Sequence, residues 1–460
     1  MKEILHFIES EKERFLSELV DFLKIPSVSS KQEHKSDMEN CSQWLIAHIK
    51  SIGFKDVRLY TTIGHPIVYA QWLEAGEDAP TVLVYGHYDV QPVDPIELWN
   101  SPPFEPVIKN GKIWARGTSD DKGQLFCHLK ALESHFKING KLPVNVKLLF
   151  EGEEECGSSN LDDFIINNKE LLACDTVFIS DSEWFADDMP SICYGMRGIS
   201  YFEVTVKGPD RDLHSGTYGG AIDNPLNVLC WMMTQLKDSY GRITIDGFYD
   251  DVIELLPDER EVFLKLPYNE KSYCDDLGIN AVNGEFGYTT IERAWIRPSL
   301  DLNGIFGGYT GEGAKTVLPS YATAKFSCRL VPNQKADDIA RKIEQHLRKI
   351  APPTVKVEIT DLHGGNPFVV PMDSQGVKAA SKAFDLAFGK DTVFMRDGGS
   401  IPIVGLFDEI LNAPSVLLGL GLPGDNIHSP NESFALDNFY GGIKTSAYFF
   451  DEIKKAIYDK

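Results

Sequence analysis

The sequence lacks a C-x-x-C pair. Its eight cysteines, at 41, 127, 156, 174, 193, 230, 274 and 328, stand singly, several of them in apolar, strand-like runs. That pattern argues against a disulfide framework or a zinc knuckle and for buried thiols in a reducing, cytoplasmic compartment. Long hydrophobic runs are also missing: none approaches the ~20 residues of a membrane span, so no membrane partner is expected. Positive charge is scarce. Forty-five Lys+Arg face 68 Asp+Glu, a net charge of −23, which disfavours nucleic acid and anionic lipid as partners. There is no G-x-S-x-G elbow to mark a serine nucleophile. "GLGLPG" at 419–424 fits G-x-G-x-x-G on paper, but Pro423 and the lack of a following helix or ribose-binding acid make it a loop. "GYTGEGAKT" fails as a phosphate loop because Ala314 separates the glycine from Lys315. No internal repeat or low-complexity tract is visible.

What is present is globular. At 460 residues, 43% of them hydrophobic and 25% charged, the chain is long enough for about two domains with a large core. The first 23 residues place Ile4, Phe7, Ile8, Phe15, Leu19, Phe22 and Leu23 among charges, the pattern of an amphipathic helix and not of a signal peptide. Up to about residue 190, helical and strand patterns alternate. "CSQWLIAHIKSIGF" and "KGQLFCHLKALESHF" read as helices, and "HPIVYAQW", "TVLVYGHYDV", "VNVKLLFEGEEE" and "CDTVFISDS" as strands. Such alternation predicts an α/β domain with a mostly parallel central sheet and ligand sites at the carboxyl ends of its strands.

After Gly198 the texture changes. "ISYFEVTVKG", "ATAKFSCRLVP" and "TVKVEITDL" alternate as half-buried strands, with helices near "NPLNVLCWMMTQL" and "KADDIARKIEQHLRKIA". From "DTVFMRDGGSIPIVGLF" the first texture returns and closes on a long helix. The expected organisation is a discontinuous catalytic domain, residues 1–197 and 392–460, interrupted by an α+β lid and dimerisation domain, residues 198–391. "ISYFEVTVKG" is expected to leave an exposed edge that a second copy could cover.

The chemistry gathers at the strand ends. His87 and Asp89 follow one strand, two residues apart and so on one face. Asp120 and Asp121 precede a helix, Glu153, Glu154 and Glu155 follow another strand, Asp181 follows a third, and His428 lies in a Gly/Pro-rich loop. Taken singly each has an ordinary explanation: a helix cap for Asp120 or Asp181, a solvated loop for "EGEEE", a surface histidine for His428. Together they differ. Converging carboxylates repel and lose solvation unless cations fill the cluster, and imidazole with carboxylate favours Zn²⁺ or a neighbouring transition metal over Mg²⁺ or Ca²⁺.

At this point the sequence resembles the dinuclear zinc peptidases, a family that includes carnosinase-like cytosolic dipeptidases, aminoacylases, glutamate carboxypeptidases and succinyl-diaminopimelate desuccinylases. The resemblance rests on "GHYDVQP", "RGTSDDKGQ", "EGEEECGSSNL", "DLHSGTYGG", "KFSCRLVPN", "RDGGSIP" and "HSPNE", in the family's order. "WNSPPFEP", "GRITIDGFYDDV" and "GAKTVLP" point to its dipeptidase branch. The resemblance implies that Asp120 bridges two metal ions, most readily Zn with Mn or Co as alternatives. His87 and Asp181 would complete one site, Glu155 and His428 the other.

It further implies that Glu154 is the general base, that Asp89 orients His87, and that the Asp120–Asp121 peptide is cis. His214, assisted by Thr316, would stabilise the oxyanion in the partner of a homodimer with shared active sites. Arg329, Gly399 and Ser400 would hold the carboxylate of a small peptide substrate. Asp397 departs from the branch's usual Glu, which bears on side-chain preference at that subsite. The implied reaction is metal-dependent hydrolysis of the amide next to a C-terminal residue with a free carboxylate. An N-acyl- or N-succinyl-amino-acid amidohydrolase would use the same residues, and a catalytically dead scaffold is the reading from outside enzymes.

Overall fold

The computed structural model describes residues 1–255 and 257–458. Contacts divide the chain into two compact units: Met1–Tyr194 with Val370–Met395 and Leu406–Lys460, and Gly195–Val369 with Arg396–Gly405. The helix Gln375–Phe388 therefore lies in the first unit, ahead of the residue-392 boundary expected from sequence texture.

The first unit is built on a mixed sheet whose strands run in the order Asp56–Tyr60, Ile67–Trp72, Asn145–Glu151, Thr81–His87, Thr176–Ile179, Ser415–Leu418 and Ser191–Met196. The four strands from Asn145–Glu151 to Ser415–Leu418 pair in parallel. Their flanks are antiparallel, so the expected mostly parallel sheet holds at the centre only. The physical basis is burial: in Thr81–His87 every residue after Thr81 is buried, the continuous apolar run of a strand covered on both faces.

Helix Lys122–Asn139 covers the sheet. Its sequence suggests one apolar side at Leu125, Leu129, Leu132 and Phe136, yet every residue from Lys122 to His135 is buried. The polar ones have partners. The Lys122 ammonium donates to the Ile25 carbonyl at 2.7 Å, and Lys130 is held by Glu18 and by Glu133, the latter at 2.8 Å. The helix stops at Gly140, whose φ of 69° is left-handed and cheap only for glycine. The predicted N-terminal helix is two helices, Lys2–Ser10 and Lys12–Leu23, that bury Ile4, Ile8, Phe15, Leu19, Phe22 and Leu23.

The second unit contains a four-stranded antiparallel sheet in the order Ser299–Gly307, Tyr321–Leu330, Gly198–Lys207, Lys356–Gly365. Helices Pro225–Thr234 and Ala336–Ile350 contribute to its core, with Phe202, Val204, Leu229, Met232, Phe326, Ile339 and Ile343 all buried. Gly198–Lys207 is an inner strand, which corrects the expectation of an exposed edge there: its two neighbours use both of its hydrogen-bonding sides. The edges are Ser299–Gly307 and Lys356–Gly365. All eight cysteines are free thiols, and no helix among the described residues is long and apolar enough to cross a membrane.

Candidate metal centre

Strand register brings the acids and imidazoles of the first unit together. Tyr85 pairs with Ile179 in the parallel ladder, and His87 pairs with Glu151. Two residues beyond the Tyr85–Ile179 level the chains carry His87 and Asp181. Glu154 and Glu155 occupy a single 3₁₀ turn, Glu154–Cys156, just past the strand that ends at Glu151. Asp120 sits in the loop before helix Lys122–Asn139, and the Asp120–Asp121 peptide is cis.

The side chains form two groups that share Asp120. His87 Nε2 lies 3.1 Å from Asp120 Oδ1 and 3.9 Å from Asp181 Oδ2. His428 Nε2 lies 2.8 Å from Asp120 Oδ2 and 3.2 Å from Glu155 Oε2. Each group can offer one ligand atom per residue within 4.8 Å of the others. A third group, Glu18, His48 and Glu133, meets the same criterion but already contains cations. Arg14 reaches Glu18 at 2.8 Å and Glu133 at 2.9 Å, and Lys130 contacts both acids, so no charge is left for a metal to neutralise.

Electrostatics point the same way. Burial pushes the Asp181 carboxyl up to about 7 and raises Glu154 and Glu155 as well. Burial also opposes charge on Asp120 and His87, but their mutual contacts outweigh it: His428 and His87 hold the Asp120 carboxyl low, and Asp120 and Asp89 raise His87. His428 is raised to about 10 by Asp120 and Glu155. The cluster thus attracts positive charge, and without a metal that charge must come from protons.

The donor atoms fit a metal. His87 Nε2 and Glu155 Oε1 are both buried with no hydrogen-bond partner, since the short approach of His87 to Asp120 is not aligned for one. A buried polar atom without a partner is costly, and a cation relieves it. His87 Nδ1 lies 3.1 Å from the Asp89 carbonyl oxygen, an acceptor only, which assigns a proton to Nδ1 and leaves the Nε2 lone pair available to a cation.

Asp89 does more than expected. Its carboxylate is 3.4 Å from His87 Nδ1, farther than its own carbonyl, and it accepts the backbone N–H groups of Glu154 at 3.3 Å and Glu155 at 3.1 Å. One buried residue therefore orients the imidazole, chiefly through its backbone carbonyl, and through its carboxylate the turn that carries both glutamates. The three consecutive glutamates separate cleanly. Asn160 donates to both carboxylate oxygens of Glu153, at 3.0 and 2.8 Å, and Gln91 donates to Glu155 at 2.8 Å. The Glu154 carboxylate has no hydrogen bond or ion pair among the described residues.

Two contributors carry no role in the sequence reading. Asp121 accepts the His87 backbone N–H at 3.2 Å, and Glu432, within the quoted "HSPNE", accepts backbone N–H groups around Asp120. Gly419 and Gly421 explain the dinucleotide lookalike. A Cβ on Gly419 would lie 2.2 Å from the Ser182 carbonyl oxygen, and one on Gly421 2.9 Å from Ser119 Oγ, so glycine lets this loop close against the segments bearing Asp181 and Asp120.

The remaining predicted residues lie in the second unit. His214 is exposed at the start of the turn Ser215–Tyr218, where its Nδ1 accepts the Gly216 N–H at 3.0 Å. That places the neutral ring's proton on Nε2, the tautomer able to donate. Thr316 adjoins it, its carbonyl accepting from Ser215 N at 3.1 Å. Arg329 donates to Ser400 Oγ at 2.8 Å, and Gly399 N donates to Asp397 at 2.6 Å. Burial lowers Arg329, and Arg197 falls to about 10 through burial and then the neighbouring Arg329. Arg197 donates to the Gly398 carbonyl at 2.9 Å, so two half-buried guanidiniums reach the 398–400 segment, a setting that favours an anion.

Sequence comparison matches residues 83–452 to the profile of peptidase family M20/M25/M40. The Cys-Gly metallodipeptidase dug1 of Schizosaccharomyces pombe is 33% identical, over 98% of each chain. The human Beta-Ala-His dipeptidase is 31% identical over 98% of this chain and 92% of its own. Among solved structures, the metallo-carboxypeptidase Sso-CP2 from Sulfolobus solfataricus is similar with a TM-score of 0.87 at 35% identity, covering 96% of this chain and 99% of that one.

Proposed function

The chain belongs to peptidase family M20/M25/M40, and on that premise we propose that it hydrolyses dipeptides with a free carboxylate through a centre of two divalent ions, most readily Zn²⁺. Metal-dependent dipeptide hydrolysis agrees with what the relatives' names say of them. The single observation that carries the dinuclear reading is Asp120, with one oxygen turned to His87 and the other to His428. In this reading His87, Asp120 and Asp181 hold one ion, and Asp120, Glu155 and His428 the other.

Such a pair, when bound, supplies Lewis-acid polarisation of the scissile carbonyl and acidifies the attacking water. The chain's own groups do the rest. Glu154, unengaged and half-buried, takes the water's proton and returns it to the leaving amine. Asp89 keeps His87 and the Glu154–Glu155 turn in place. Arg329 and Ser400, with the Gly399 backbone, hold the substrate's carboxylate as a fixed fork, and the Nε2–H of His214, with Thr316 beside it, stabilises the oxyanion.

A cytoplasmic homodimer accompanies this reading. The edge strand Ser299–Gly307 exposes Leu302, Ile305 and Phe306, each by almost half, and a two-fold contact would cover them and the unpaired edge. In that dimer His214 of the partner subunit serves each metal centre. The amidohydrolase alternative finds no support in the relatives' names. The test is a substrate panel of dipeptides, tripeptides and N-acetyl and N-succinyl amino acids with Zn²⁺, Mn²⁺ and Co²⁺. Metal-dependent release of free amino acids from dipeptides is expected, and release of acetate or succinate alone would overturn the reading.

A further inference from the structure

Besides the ligand set, one buried carboxylate touches every part of the loop that leads to Asp120. Glu432 is fully buried, four residues after His428. Its Oε1 accepts the backbone N–H of Ser119 at 2.8 Å and of Asp120 at 3.1 Å. Its Oε2 accepts the Gly117 N–H at 2.9 Å and Arg116 Nη1 at 2.9 Å. The Glu432 carbonyl also accepts from Ala115 N at 3.2 Å. We propose that Glu432 is a positioning residue that sets the Asp120 carboxylate against His428, so that the geometry of the shared ligand depends on a side chain that touches no metal.

The side-chain chemistry accounts for the choice of glutamate. Three amide N–H groups and a guanidinium need four acceptor positions, which a carboxylate has on two oxygens and an amide or hydroxyl does not. Arg116 is 1% exposed, donates also to the Pro92 carbonyl at 3.1 Å, and lies over the Trp99 ring at 5.3 Å. Its charge balances Glu432, so the pair orders the loop without adding net negative charge to the ligand cluster. Because Glu432 and His428 leave the same loop, the 2.8 Å approach of His428 to Asp120 depends on the contacts that pin that loop to the segment 116–120, of which Glu432 makes most and Asp425 adds one, from Ser119 Oγ at 3.4 Å. Groups of this kind, one bond removed from the ligands, change metal affinity by about 10–100-fold when lost.

This inference rests on the dinuclear reading, and the test separates the two. Metal-stripped wild-type, Glu432→Gln and Glu432→Asp proteins are titrated with Zn²⁺ by calorimetry, with circular dichroism as the control for folding. The Gln variant puts a donor where a donor already points, and the Asp variant keeps the charge but falls one methylene short. Folded variants should bind one of the two ions about 10–100-fold more weakly, and kcat at limiting Zn²⁺ should recover as Zn²⁺ is raised. If Glu432→Gln does not fold, Glu432→Asp, which still balances Arg116, carries the measurement. Two ions bound as tightly in the folded variant as in wild type overturn the role of Glu432 and leave the metal centre standing. A wild-type protein that binds no Zn²⁺ overturns both.

Discussion

Exchanging each of the adjacent glutamates for glutamine should separate the proton carrier from the ligand. Glu154→Gln neutralises a half-buried carboxylate that engages no partner among the described residues and that burial and neighbouring acids disfavour, so the substitution should not destabilise the fold. Metal content should stay at the wild-type value. An amide of nearly the same shape cannot carry a proton, and losing general acid–base catalysis costs about 10²–10⁴ in rate, or about 3–5 kcal/mol in the barrier.

Glu155→Gln meets a different environment. If its NH₂ takes the Oε2 position it opposes the Gln91 amide, which donates there at 2.8 Å, and faces His428 at 3.2 Å. If it takes the Oε1 position it becomes a buried donor where no partner exists. Either orientation costs about 1–3 kcal/mol, roughly 5–150-fold in metal affinity, on top of the lost ligand charge. Steady-state kinetics at saturating Zn²⁺, with elemental analysis of the same preparations, reads both effects. Near-wild-type kcat in Glu154→Gln would refute the assignment of the base. Glu153 could not then stand in, because Asn160 holds both of its oxygens.

Reconstituted protein should contain close to two divalent ions per chain by elemental analysis, and chelation should abolish turnover and lower Tm, as expected when a ligand that binds only the folded state is removed; a stoichiometry that never exceeds one would sink the dinuclear reading. Mixing inactive His214→Ala and Glu154→Gln proteins should restore about a quarter of wild-type activity after statistical subunit exchange, because half the dimers are mixed and each has one intact site; mixtures with proven exchange that stay inactive exclude a role in trans. A pH dependence comes from His128, buried with Nδ1 2.9 Å from Ser446 Oγ and lowered by burial to about 3. The unfolded chain takes up this proton below about 6.5 while the fold does not, so the stability in question is present above 6.5 and lost toward pH 3. Between pH 6.5 and 5 the loss is about 2 kcal/mol, and urea unfolding of metal-stripped His128→Leu should show a correspondingly flatter pH dependence.

The candidate ligands were legible in sequence for a physical reason: a parallel strand buried on both faces shows as an apolar run, and the first polar residues after it mark the sheet edge where ligand sites form. His87, Asp181 and the "EGEEE" turn stand out that way, and the motif order links them to the family. Less visible were the antiparallel flanks of the sheet, since pairing direction leaves little trace in a short strand. The edge expected at "ISYFEVTVKG" was misplaced for a related reason. Alternation shows that one face of a strand is buried, not whether its backbone has one neighbour or two.

What the sequence determined by itself is the inventory: the acid and imidazole types, their positions after strands, the two textures of chain and the free cysteines. What only the tertiary structure decided is which atoms meet. The Tyr85–Ile179 register sets His87 beside Asp181, Asp89 turns its carboxylate to two backbone amides, and Glu432 reaches three more. Backbone N–H groups occur at nearly every residue and so have no signature in sequence. A carboxylate that serves them looks like any other acid until the fold shows that it is buried and what it accepts.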